Sequence, residues 1–253
     1  RKNEILAEKA EKAGTLGNWL GVLPNAGSED ISKAWDKILI NQFHDVLPGS
    51  SIPYQYEVTY NNQELAKNLL NNVQNDGLQA IAYKADTNVD GTPVLVFNPL
   101  SWERSDMVET TVRFTDAVPE QIAVYDGDTL VPSTVTARDE EKKTATIRFQ
   151  ANALPSVGFK IFTVKAGDGT VETNLSVEEN DSLFVMENEF LKVEIDKETG
   201  NIAQVYNKKD NNRPVFADGY QGNEIHIYKD TGGSSYPAWD LVMDEMNADP
   251  VAI

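Results

Sequence analysis

The chain has 253 residues, 40% of them hydrophobic, so it can bury a sizeable core and has room for two or three domains. Its 22 basic and 40 acidic residues give a net charge of −18, which repels nucleic acid and anionic membrane surfaces. It has no cysteine, which excludes disulfides and thiolate metal sites and fits a reducing compartment.

The acidity is uneven. Residues 1–85 hold 8 basic and 10 acidic residues, whereas residues 86–253 hold 14 and 30. No apolar run approaches the roughly 18 residues of a membrane span, and no signal peptide is visible. Residues 1–13 read as the interior of a helix, so the chain looks like a piece of a longer protein.

The first 87 residues are expected to form a three-helix bundle. Ile5, Leu6, Ala10, Ala13, Leu16, Trp19, Leu20 and Leu23 mark an amphipathic hairpin or broken helix ending at Pro24. A second helix begins with Ser28 as N-cap and Glu29 and Asp30 in its first turn, where acids meet the positive end of the helix dipole. Its apolar stripe, Ile31, Ala34, Trp35, Ile38 and Leu39, centres near Trp35. At about 100° per residue, His44 falls roughly 180° from that centre and faces away from the bundle. Pro48-Gly49 then breaks the helix. A third helix begins near Pro53, suited to a first helical position, and runs through Tyr54, Val58, Leu65, Leu69, Val73 and Ile81, with Gly77 as a weak spot.

Asp86-Thr87-Asn88-Val89-Asp90-Gly91 matches the first half of a calcium-binding loop, but the twelfth position is Phe97 rather than a bidentate Glu. We read it as a polar linker. From Pro93 the periodicity changes to two, with strands at 94–97, 108–114, 122–125, 130–136, 144–149 and 159–164 and a turn at Asp126-Gly127-Asp128. Residues 88–166 are therefore expected to form a small β-sandwich. Residues 167–181, rich in Gly, Glu and Asn, read as a linker, and the nominal glycosylation sequons at Asn174 and Asn180 as coincidence. Residues 182–253 open a second, larger and truncated β-sandwich, with strands at 190–196 and 202–206 around a turn at 197–201. His226, in Ile225-His226-Ile227, reads as a solvent-facing strand position. The fold class is thus multidomain, α followed by all-β.

Gln42-Phe43-His44-Asp45-Val46-Leu47-Pro48-Gly49-Ser50-Ser51-Ile52 resembles the middle-domain signature of bacterial-type glycoside hydrolase family 38 α-mannosidases. Phe97-Asn98-Pro99-Leu100-Ser101-Trp102-Glu103-Arg104 resembles that family's first β-domain, and the run from Phe190 resembles the opening of its large C-terminal β-domain. Tyr236-Pro237-Ala238-Trp239-Asp240 looks like the family's aromatic-x-Ala-Trp-Asp segment, with Pro237 where an Asp is common, so neither Trp239 nor Asp240 is assigned to the site. Trp102 reads as a core or interdomain aromatic, with stacking on a sugar as the other reading.

The resemblance implies a zinc-dependent, retaining, exo-acting α-mannosidase. It makes His44 a metal ligand and Asp45 a substrate-binding residue for mannose hydroxyls. It puts the nucleophile and the remaining zinc ligands in an N-terminal catalytic domain of the same protein, so no catalytic residue is expected in this chain. The implied partners are an α-mannoside and that domain, with no nucleic acid and no membrane; homo-oligomerisation stays open and the location is expected to be the bacterial cytoplasm. Two other readings stand beside it: a non-catalytic carbohydrate-binding or structural β-module, and a mannosyl-glycerate-type hydrolase of the same family. Residues suited to a nucleotide loop, a Ser-His-Asp triad or a basic aromatic patch were not found.

Overall fold

The computed structural model describes residues 1–229, 233–236, 240, 242 and 247–251. They fall into two compact units, Arg1–Val171 and Glu172–Ile253. Among the described residues no helix is long and apolar enough to cross a membrane.

The first unit opens with three helices, α1 (Lys2–Trp19), α2 (Ser28–Ile40) and α3 (Pro53–Lys84). Helix α1 is continuous to Trp19 rather than broken, because its buried face is a run of small residues, Ala7, Ala10, Ala13, Gly14 and Gly17, that lets α3 approach along its whole length. Gly77 of α3 is a close-packing point and not a weak spot. A Cβ there would sit 2.4 Å from the Ala13 carbonyl carbon and 2.5 Å from its oxygen. Asn3 fixes the other end of the pair, its amide donating to the backbone oxygen and side-chain oxygen of Gln63 at 2.8 and 2.7 Å.

The predicted stripes are displaced accordingly. Helix α3 buries Thr59, Ala66, Leu70, Val73, Gly77, Ala80 and Ile81, while Tyr54 and Leu65 are exposed. Trp19, expected inside, is 81% exposed. In α2 the buried residues are Ala34 and Ile38; Trp35 lies at the edge, with its indole N–H donating to Glu11 at 2.7 Å. The N-cap of α2 is Gly27 rather than Ser28. Its φ of +70° is the left-handed conformation that glycine adopts without a steric penalty.

Seven strands follow: β1 (Thr92–Asn98), β2 (Arg104–Arg113), β3 (Ile122–Asp126), β4 (Thr129–Val131), β5 (Ser133–Asp139), β6 (Thr144–Leu154) and β7 (Gly158–Ala166). They form two antiparallel sheets, ordered β1-β7-β3-β4 and β2-β6-β5. The single strand expected over 130–136 is two strands in different sheets, divided at Pro132, which has no N–H to give to a ladder. Phe149 and Ile147 from one sheet meet Phe162, Val164 and Val124 from the other, all fully buried, and the two phenyl rings lie 5.0 Å apart. Asn98, 1% exposed, closes one end of this core. Its amide donates to the carbonyls of Trp102, Leu154 and Pro155, and its oxygen accepts from Leu100 N–H.

The second unit is a five-stranded antiparallel sheet, β12-β11-β10-β9-β8, with β8 (Ser176–Glu179), β9 (Leu183–Glu187), β10 (Leu191–Asp196), β11 (Ile202–Asn207) and β12 (Arg213–Pro214). Strand β8 lies inside the stretch read as a linker; it pairs with β9 because Val177 alternates in register with Met186. Among the described residues this unit contributes one sheet, so the second layer of a sandwich is not among them. The turn after β10 is held by Asp196, whose carboxylate accepts from the N–H groups of Glu198 and Thr199 and from the Thr199 hydroxyl. Those hydrogen bonds hold its carboxyl below the usual carboxylate range. His226 is exposed as expected but lies outside the strands, with Glu224 at 3.2 Å and the Tyr228 hydroxyl at 3.2 Å. Pro237, Ala238 and Trp239 lie outside the described residues.

Candidate functional site

The stretch between α2 and α3, residues 41–52, carries both residues singled out by sequence. Helix α2 ends at Ile40, four residues before His44, so a helical projection from Trp35 does not apply to that histidine. What ends the helix is Asn41. Its buried amide donates to the Lys37 carbonyl at 2.6 Å, taking up one of the orphan acceptors of the last turn. The chain then runs through consecutive tight turns, with Val46 and Leu47 N–H donating to Phe43 O at 2.9 and 3.2 Å and Gly49 N–H to Val46 O at 3.3 Å. Ile52 is extended, and Pro53 begins α3 at the predicted first position.

His44 faces solvent, as expected, though for this different reason. Its side chain is 77% exposed, that of Asp45 is 37% exposed, and the nearest nitrogen–oxygen separation between them is 3.5 Å. At that separation the two are in contact without forming a good hydrogen bond. The Phe43 ring stands 4.3 Å from the imidazole and tilted to it. Exposed apolar side chains flank the pair in sequence: Leu39, Ile40, Phe43, Leu47, Ile52 and Tyr54. Sequence reading did not single these out as exposed. The signal was available, since Ile38, Leu39 and Ile40 are consecutive and at about 100° per residue cannot all face one core.

One imidazole and one carboxylate fit one corner of a zinc site, which takes four ligands or three and an open position. Among the described residues no group of three or more His, Asp and Glu side chains stands together to hold a metal ion. The calcium-like run at 86–91 behaves as a loop: Asp86 accepts from Asn88 N–H and Asp90 pairs with Lys165 at 3.2 Å. Trp102 is exposed and not a core residue; its carbonyl accepts from the Asn98 amide.

The comparisons fall on the same segments. The family model "Alpha mannosidase middle domain" matches residues 1–81, which contain the three helices up to Ile81 and the His44 turn. The model "Glycosyl hydrolases family 38 C-terminal domain" matches residues 186–252. Alpha-mannosidase G of Dictyostelium discoideum is 26% identical over 250 residues, covering 84% of this chain and 21% of that protein. The chain thus spans about a fifth of the length of the curated relative it matches. Two domain matches in family order, on a bundle and a β-sheet unit where the motifs predicted them, make this chain a member of glycoside hydrolase family 38, carrying middle-domain and C-terminal-domain sequence.

Proposed function

We propose that this chain is part of a zinc-dependent, retaining exo-α-mannosidase acting on terminal α-mannosides, in which His44 is a zinc ligand and Asp45 a hydrogen-bond acceptor for sugar hydroxyls. The observation that carries the reading is the exposed His44-Asp45 pair on a tightly turned segment, within the stretch that matches the family's middle domain. Zinc, when bound, supplies a Lewis acid that holds and polarises substrate oxygens. His44 donates a neutral imidazole nitrogen. In this reading Asp45, one residue on and partly exposed, accepts from a hydroxyl of the same ligand. Retention requires two carboxyl groups about 5–5.5 Å apart, and in this reading they, with the other zinc ligands, belong to residues outside this chain. By itself the chain is then inactive and does not hold zinc through dialysis, because two donors are too few. A cytoplasmic, bacterial setting belongs to the same reading.

The test is hydrolysis of an aryl α-mannoside by the intact parent protein, wild type against His44→Ala, with zinc supplied and withheld. Zinc-dependent activity that falls at least about 100-fold in the variant supports the assignment. A variant with wild-type activity refutes it.

A further inference from the structure

We infer that Tyr56 is a positioning residue for His44, acting through the backbone of Ser51; the inference rests on the reading of His44 as a metal ligand. A ligand carried on a segment of turns must be held in place by its surroundings, or its ordering opposes metal binding. Residues 41–52 are tied at both ends. At the near end are the Asn41 bond to Lys37 O and a bond from the Gln42 amide to Glu4 of α1. At the far end the Ser51 N–H donates to the Tyr56 hydroxyl oxygen at 2.9 Å.

The far tie is not a helix cap. Helix side chains lean toward the N-terminus, so from the first turns of α3 the Tyr56 side chain reaches back over Pro53 and the N-cap Ile52. The N–H it receives belongs to Ser51, the residue before the N-cap, which lies outside the helix. Losing this bond therefore leaves the hydrogen bonds of α3 untouched and loosens the far end of the segment that carries His44. Tyr56 and Ser51 are both half-buried, so water replaces the lost partner only in part.

Tyr56→Phe keeps the ring and removes the acceptor. In the intact parent protein, chelator competition should show the zinc dissociation constant rising about 2- to 10-fold, the range one hydrogen bond supports. In the present chain, amide hydrogen exchange should quicken over residues 44–51 and stay unchanged within α3. His44→Ala serves as the control and should abolish zinc retention in the parent. Wild-type zinc affinity and exchange in Tyr56→Phe, with zinc lost in His44→Ala, overturns the role of Tyr56 alone. Zinc kept by His44→Ala overturns the underlying reading as well.

Discussion

The helical bundle and the β-sandwich of the first unit are built on opposite plans. The sandwich buries its large side chains, Phe149, Phe162 and Ile147, between two sheets. The bundle buries alanines and glycines where α1 meets α3, beside a few aliphatic residues, Ile38, Leu70, Val73 and Ile81, and leaves Trp19, Leu39, Ile40, Phe43, Leu47 and Tyr54 outside. Close helix approach and large interior side chains exclude each other, since a backbone contact like that of Gly77 with Ala13 leaves no room for a γ carbon. The bundle therefore leaves its aromatic residues and several large aliphatic ones on its surface, and the His44 turn sits among them.

That contrast can be broken in three places. Phe149→Ala empties the centre of the sandwich and is expected to cost about 3–5 kcal/mol in chemical denaturation of this chain. Gly77→Ala should cost about 1–3 kcal/mol, although the same change in an ordinary exposed helix is favourable by about 1 kcal/mol; the sign alone decides whether α1 and α3 meet backbone to backbone. Trp19→Ser should stay within about 0.5 kcal/mol, as for an exposed site with no special contacts. A loss of several kcal/mol there would mean that Trp19 is packed rather than exposed.

The same contrast explains what the sequence made legible. The sandwich strands could be read because large apolar residues alternate where they are buried, as at Ile147 and Phe149. The existence and order of the helices could be read too, from Pro53 and from the stripe of α2. The buried faces of α1 and α3 could be read only in part, at Ala10, Ala13, Val73 and Ile81. Elsewhere the expectation looked for large side chains and chose Trp19 and Leu65, whereas the packing runs through Gly17, Ala66 and Gly77. Pro132 marked a strand division inside the run read as one strand over 130–136. At the site, the identity of the His44-Asp45 pair was legible from the motif. Its setting was not, because Asn41 ends α2 through a side-chain bond to Lys37 that periodicity does not encode. The Tyr56 contact depends on a side chain reaching back past a helix start and leaves no pattern at all.

The central claim is that His44 is a zinc ligand. Its most direct test is the metal content of the intact parent protein after exhaustive dialysis, measured for wild type and His44→Ala side by side. About one zinc per chain in the wild type and less than about a tenth of that in the variant is the predicted result, since a lost ligand leaves an incomplete site. Equal zinc in the two proteins would contradict the assignment and leave the turn at residues 41–52 as no more than a connection between two helices.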